Sequence, residues 1–175
     1  RSVMQFVIDV KTACLSLGDR ERKELAQEVE EVIWSFNTGI NNYDPDLGLA
    51  ETYKKSFGNS EFFHKNNFDE VLRFRSLIDN LSTENKPLAD VLQLACLSSL
   101  ITSSLLKRAG DVRYRTEKEL AMGIPSMLTS VRGALIKMKT DILGPPIKLL
   151  EKPVLLCESA FDISEQKPIG LDGVI

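Results

Sequence analysis

The sequence predicts a mainly helical fold organised around one central helix. Apolar residues recur at helical spacing in several parts of the 175-residue chain, and one of these parts is apolar on most sides. Hydrophobic residues make up 43% of the chain, which is enough for a sizeable core. Short β-type runs occur only near the carboxyl end. We therefore expect a helical bundle followed by a small fragment of one or two strands.

The central helix is predicted over residues 87–106, PLADVLQLACLSSLITSSLL. Pro87 suits the first helical position, where its missing N–H is no loss, and Asp90 suits the positive end of the helix dipole. Leu92, Ala95 and Ser99 are expected to face packed neighbours. A membrane span would need an unbroken apolar surface, which Asp90, Gln93 and several Ser and Thr interrupt. The segment is therefore interpreted as a buried core helix.

Residues 1–36 are predicted to form a hairpin of two antiparallel helices. The first helix extends over about 2–17, and Gly18 is expected to end it in the left-handed conformation. Asp19 is expected to cap the second helix, RERKELAQEVEEVIWSF, whose apolar stripe lies opposite a charged and solvated face. The chain begins without Met and already in a helical pattern, which suggests a piece of a longer protein.

Residues 37–66 are predicted to form a long loop with one short helix around 49–55. The Asp residues of this loop lack the Gly and Glu positions of a calcium-binding EF-hand. Its aromatic residues alternate with lysines, so they either anchor the loop or offer a surface for stacking nucleic-acid bases. The aromatic residues of this loop and of the start of the next predicted helix are Tyr43, Tyr53, Phe57, Phe62, Phe63 and Phe68.

Residues 67–143 are predicted to form the helical core. Asn67 and Glu70 have the spacing of a capping box, and 123–125 should interrupt the last helical pattern. A basic stretch over 107–118 leaves the end of the central helix, with the sequence KRAGDVRYRTEK. Residues 144–175 are predicted to be a linker and partial strands, the latter at 153–157 and 171–175.

Composition excludes several functional classes. The net charge of −3 argues against nucleic-acid binding by the whole surface, so any such role requires a local patch. One histidine, His64, and three widely separated cysteines give no metal cluster, and no catalytic residue or glycine-rich phosphate loop is identified. The cysteines are interpreted as buried thiols in a reducing cytoplasm.

The order of segments resembles the middle of a site-specific DNA methyltransferase of the class that methylates adenine N6 or cytosine N4. Three stretches carry the resemblance: F…EVLRFRSLID…LADVLQLACLSSLITSS over 68–104, KRAGDVRYR over 107–115, and the closing PVLLCESAFDI…LDGVI. The opening RSVMQFVIDVKTACLSL is similar to the helix after the strand whose acidic end holds S-adenosylmethionine.

The resemblance implies a helical insertion into a Rossmann-like α/β methyltransferase, between its cofactor-binding and catalytic halves. The family's last strand continues into a Ser-Pro-Pro-Tyr or Asp-Pro-Pro-Tyr loop, which stacks on the flipped target base. The glycine-rich cofactor loop and this catalytic loop are not in the chain, so it should neither methylate DNA nor bind the cofactor by itself. In the complete enzyme, S-adenosylmethionine would be contacted near Glu158, Ser159 and Asp162. Glu158-Ser159-Ala160 replaces the Gly-Asp-Ala that the family tends to have.

Contact with double-stranded DNA is the function that the resemblance implies for the helical region. Its candidate residues, all in the basic stretch, are Lys107, Arg108, Arg113, Tyr114 and Arg115. The other expected partners are the missing cofactor-binding and catalytic parts of the same enzyme, and no membrane. Two alternatives remain: a helical protein-interaction or regulatory module that uses the aromatic loop, and a scaffold without ligand. DNA binding requires the basic residues to be exposed and continuous with Arg132, Lys137 or Lys139. A protein-binding bundle permits them to be scattered or paired internally.

Overall fold

The computed structural model describes residues 2–36, 38 and 40–144, and this part of the chain is mainly helical, as predicted. It contains seven α-helices, one short 3-10 helix at Ile40–Asn42 and a two-stranded antiparallel sheet. The elements are α1 (Val3–Ser16), α2 (Asp19–Ser35), α3 (Leu47–Phe57), α4 (Lys65–Glu84), α5 (Lys86–Ser99), β1 (Leu106–Ala109), β2 (Asp111–Tyr114), α6 (Glu117–Ala121) and α7 (Met127–Leu143).

The central helix is α5, and seven of its fourteen residues are buried. Its most extensive contacts are with α4 and α7, and it also touches α1 and α2. Leu92 and Ala95 are fully buried and Ser99 is 3% exposed, which confirms the predicted packing. The helix ends at Ser99 instead of residue 106. Ser and Thr hydroxyls compete for backbone groups in the following turns, and Ser103 and Ser104 donate to the carbonyls of Ser99 and Ile101.

The first two helices were predicted to pack against each other as an antiparallel hairpin, and this prediction is wrong. α1 lies on α5, whereas α2 packs mainly on α7, and α1 and α2 scarcely touch. Gly18 does not adopt the left-handed conformation, since its φ is −69°. Instead Gly18 is the N-cap of α2, a position predicted for Asp19, and its N–H donates to the Glu21 carboxylate at 2.8 Å. The extended backbone at Leu17 and Gly18 separates the two helices.

Asn67 and Glu70 do not form the predicted capping box, because α4 begins at Lys65. The buried Asn67 amide donates to the Ser103 carbonyl at 2.7 Å and to the Pro125 carbonyl at 3.0 Å. Glu70 accepts from the N–H of Leu128 in the first turn of α7 at 2.8 Å. Both side chains therefore join α4 to other elements instead of closing its own first turn.

The remaining predictions for the helical core agree with the structure. α3 covers the short helix expected near 49–55, and α7 follows the predicted break at 123–125. Met127, Val131, Leu135 and Ile142 form the buried face of α7, as expected from their spacing. In the part of the chain that the structure describes, no helix is long and apolar enough to cross a membrane. The strands predicted at 153–157 and 171–175 lie outside the described residues.

Candidate nucleic-acid interface

The predicted basic stretch forms a β-hairpin, which the sequence analysis did not identify. β1 and β2 pair in register with Lys107 opposite Arg113 and Arg108 opposite Val112. Gly110 forms the turn at φ 82°, a value that side chains with a Cβ rarely adopt. Because side chains alternate across a strand, the hairpin has two faces. We call the face of Lys107 and Arg113 the anchored face and the face of Arg108, Val112 and Tyr114 the open face.

Glu119 of α6 holds the anchored face. Its carboxylate accepts two hydrogen bonds from Arg113, at 2.9 and 3.0 Å, and one from Lys107 at 2.7 Å. The N–H of Thr116 donates to the same carboxylate, while the Thr116 hydroxyl accepts from the Glu119 N–H. Hydrogen bonds from Arg113, then from Lys107, hold the pKa of Glu119 well below its usual range. Two of the five candidate residues are thus ion-paired within the chain.

Arg115 has a structural role at the end of the central helix. Its guanidinium donates to the carbonyls of Ser104 at 3.0 Å and Thr102 at 3.1 Å. These carbonyls belong to the turns that follow α5, and cationic donors stabilise such helix ends. Arg115 is accordingly not an exposed cation aligned with Arg113.

The open face carries the two candidates that are exposed and form no ion pair among the described residues. Arg108 is exposed, and its side chain has no hydrogen-bond or ion-pair partner within residues 2–36, 38 and 40–144. Tyr114 is 52% exposed, and its ring stacks on that of Phe62 with centroids 6.0 Å apart and planes at 29°. The N–H of Leu105 also donates to the Phe62 carbonyl at 2.7 Å. The hairpin and the aromatic loop therefore form one surface.

Aromatic rings of the loop continue this surface. Tyr53 lies at the centre, with ring centroids 5.1 Å from Phe57, 6.1 Å from Phe62 and 4.6 Å from Phe68. Its hydroxyl donates to the Ser60 carbonyl and accepts from the Phe62 N–H, both at 3.1 Å. These contacts support the interpretation in which the inner rings anchor the loop. Phe57 remains 49% exposed at the edge.

Lys137 and Lys139 of α7 do not extend the hairpin surface. Met127, which starts α7, contacts Ser103 near the hairpin, and Lys137 lies ten residues further along, about 15 Å away by helical rise. Lys139 forms an ion pair with Glu30 of α2, on the helix pair α2–α7. The continuity expected of an extended DNA-binding surface is therefore missing for these two lysines.

The predicted cofactor contacts Glu158, Ser159 and Asp162 lie outside the described residues. Among residues that the structure describes, no three His, Cys, Asp or Glu side chains are grouped as a metal site. Cys96 is buried and Cys14 half-buried, and burial raises the pKa of both thiols, with Asp90 adding to the effect at Cys14. The third cysteine, Cys157, lies beyond the described residues.

A groove runs between α1, α5 and α7 on another part of the molecule. Its volume is about 1210 Å³, and its walls are mostly apolar. Representative residues are Val7 and Val10 of α1, Val91 and Leu94 of α5, and Ala134 and Met138 of α7. The groove leaves α1 incompletely covered, since only Val10 and Thr12 of its fourteen residues are buried.

Comparison with known proteins identifies no match among family models, curated proteins or solved structures. Sequence reasoning missed Glu119 as part of the candidate site, and it considered Phe57 and Phe62 for base stacking without connecting them to the hairpin. Thr116 and Glu119 have the spacing of a capping box, and Gly110-Asp111 between β-prone residues is a turn signal. Together these two signals indicate a hairpin followed by a helix.

Proposed function

We propose that the chain is the helical part of an S-adenosylmethionine-dependent DNA methyltransferase and that the β1–β2 hairpin contacts DNA. The sequence resemblance over 68–104 and 107–115 supports the class. The observation that carries the DNA contact is the open face of the hairpin, where Arg108 is exposed and unpaired among the described residues. A two-stranded β-ribbon has dimensions that the major groove of DNA admits.

The anchored face explains how such a contact would be positioned. Glu119 ties both strands to α6, and Arg115 ties the end of β2 to the turns after α5. Because these bonds fix the hairpin, Arg108 projects from a defined place instead of from a flexible loop. A cation held in this way positions a protein on phosphate groups without reading sequence.

In the complete enzyme, the bound cofactor would supply the methyl group for transfer to the exocyclic amine of a flipped base. Glu158, Ser159 and Asp162 are the residues of this chain that we propose to lie near it. The partly uncovered α1 is proposed to contact the other parts of the same enzyme. The coding sequence beyond Ile175 tests the class: a Ser-Pro-Pro-Tyr or Asp-Pro-Pro-Tyr sequence is expected within the next few residues, and its absence would contradict the proposal.

Duplex binding at several salt concentrations tests the hairpin. Arg108→Ala should weaken binding and reduce the slope of log affinity against log salt by about 1, because one phosphate contact is lost. Lys23→Ala is the matched control, since Lys23 is an exposed lysine of α2 without a partner in the described ranges. Equal affinities and equal slopes for the two variants would remove the hairpin from the interface.

Variants of the paired residues are less informative. Arg113→Ala breaks the ion pair with Glu119, and Arg115→Ala removes donors from the Ser104 and Thr102 carbonyls. A loss of affinity in either variant would therefore combine a displaced hairpin with a lost cation.

A helical protein-interaction module is the second candidate, favoured by the groove between α1, α5 and α7. An amphipathic helix of another protein would lay its apolar side chains in such a groove. Under this alternative, Ala134→Asp in the groove abolishes co-purification with the partner and duplex affinity does not depend on Arg108. If duplex affinity depends on Arg108 and is unchanged by Ala134→Asp, the result favours the DNA contact.

A further inference from the structure

The aromatic rings beside the hairpin belong to two groups with different surroundings. Tyr53 and Phe62 are partly buried, contact several other rings and share the hydrogen bond from the Phe62 N–H to the Tyr53 hydroxyl. Phe57 and Tyr114 lie at the two edges and are 49% and 52% exposed. Anchoring of the loop explains the inner rings, but it does not explain two large rings left half in water.

The two exposed rings are close enough to serve one ligand. Both contact Phe62, whose ring centroid lies 5.2 Å from that of Phe57 and 6.0 Å from that of Tyr114. Their centres therefore lie within about 11 Å of each other. An aromatic face accepts any base by stacking, so two such faces offer places for two nucleotides of one strand.

The charges around these rings favour an anionic ligand. Segments 53–65 and 105–119 together contain eight Lys or Arg and four Asp or Glu. The whole chain, by contrast, has 22 Lys or Arg and 25 Asp or Glu. Arg108 lies on the same face as Tyr114. Lys54 is exposed one turn before Phe57, and its ammonium group has no partner in the described part of the chain. Glu61 is the exposed acid next to Phe62.

We infer that Phe57, Tyr114 and Arg108 form a binding site for unpaired nucleotides, in which the rings stack on bases and Arg108 contacts phosphate. This inference rests on the proposed nucleic-acid function and specifies its ligand. Duplex DNA keeps its bases stacked on each other, so only single-stranded or locally opened nucleic acid presents base faces to these rings.

Binding of labelled single-stranded decathymidylate to the whole chain, measured by fluorescence anisotropy, tests this site. Tyr114→Ala and Phe57→Ala should each weaken binding about 5- to 150-fold, the range for loss of one stacked base. The salt slope should stay the same in both, because no cation is lost. Tyr114→Phe keeps the ring and should bind as the original chain does.

Two controls separate stacking from other effects. Trp34→Ala removes an aromatic residue that is 61% exposed on α2, outside the ring cluster, and should leave binding unchanged. A strand of the same length with abasic sites keeps its phosphates, and should bind the Tyr114→Ala variant and the original chain equally. Circular dichroism of each variant establishes that the fold is retained.

The outcomes distinguish this inference from the proposed function. If Tyr114→Ala and Phe57→Ala bind single strands as tightly as Trp34→Ala does, the stacking site is wrong, whatever the duplex result. If these two variants bind single strands more weakly while duplex affinity is independent of Arg108, the result supports the stacking site and contradicts the proposed contact with duplex DNA. Weaker binding of these variants to the abasic strand as well would also overturn the stacking site.

Discussion

The central helix α5 and the β1–β2 hairpin are neighbours in sequence but depend on different interactions. α5 is surrounded by four other helices, and Leu92 and Ala95 have no exposed surface. Every residue of β2 is exposed, and the hairpin is attached by ion pairs and backbone hydrogen bonds. Burial of apolar surface stabilises α5, whereas charged contacts mainly set the position of the hairpin. Substitutions should therefore change stability in the first region and hairpin geometry in the second.

The largest effect is expected for Leu92→Ala in α5. The substitution leaves a cavity in the hydrophobic core, where Leu92 is fully buried, and should lower the free energy of unfolding by about 2–5 kcal/mol. Val112→Ala in β2 is the comparison, since Val112 is 47% exposed and its loss should change stability by about 0.5 kcal/mol or less. Chemical denaturation of both variants measures the difference. A loss below about 1 kcal/mol for Leu92→Ala would contradict the assignment of α5 to the core.

A smaller effect is expected where the two regions meet, at Asn67. Its amide donates to the carbonyl of Ser103 before the hairpin and to that of Pro125 before α7. Asn67→Ala leaves these carbonyls without that donor and should cost about 1–3 kcal/mol in the free energy of unfolding. Asn66→Ala, at the exposed neighbouring position, is the matched control. Equal denaturation midpoints for the two variants would show that water replaces the Asn67 amide at no cost.

The smallest effect on global stability is expected at Glu119, where acid should loosen the hairpin. The folded state lowers the pKa of Glu119, so its stabilising contribution is complete above the ordinary glutamate pKa of about 4.3. The contribution then decreases as pH falls towards the lowered value. Protection of the β1 and β2 amides against hydrogen exchange, measured relative to the intrinsic exchange rate at each pH, should decrease below about pH 4.3, and Glu119→Gln should remove that part of the dependence. Exchange in the hairpin that responds to acid equally in both proteins would contradict the role of Glu119.

Prediction from sequence succeeded where burial determines the structure. The spacing of Met127, Val131, Leu135 and Ile142 identified the buried face of α7, and the apolar surface of 87–106 identified the central helix. The end of α5 was misplaced because the apolar pattern continues beyond Ser99. There, Arg115 and the serine hydroxyls compete for the carbonyls that would continue the helix. Arg115 lies outside the predicted helix, and the apolar pattern does not show which carbonyls the serine hydroxyls inside it will take.

The candidate site was less predictable because its organisation depends on pairings between separate segments. Arg113 and Lys107 appear in sequence as part of one basic cluster, but Glu119 from α6 pairs with both. Tyr114 appears as an isolated aromatic residue, but it stacks on Phe62 from a loop 52 positions earlier. Sequence proximity thus overestimated the number of available cations and did not reveal the shared aromatic surface.

Arg22 has a consequence for synthesis of the chain on the ribosome. It lies in α2 but is 9% exposed, and it donates to the carbonyls of Ile142 and Gly144 at the end of α7. The contact with Ile142 spans 120 residues. At a translation rate of about 5–20 residues per second, Ile142 is synthesised on the order of 6–24 s after Arg22. Until then the nascent α2 exposes both this charge and its apolar stripe, so binding of a chaperone to the growing chain should be strongest in the interval between synthesis of α2 and synthesis of α7.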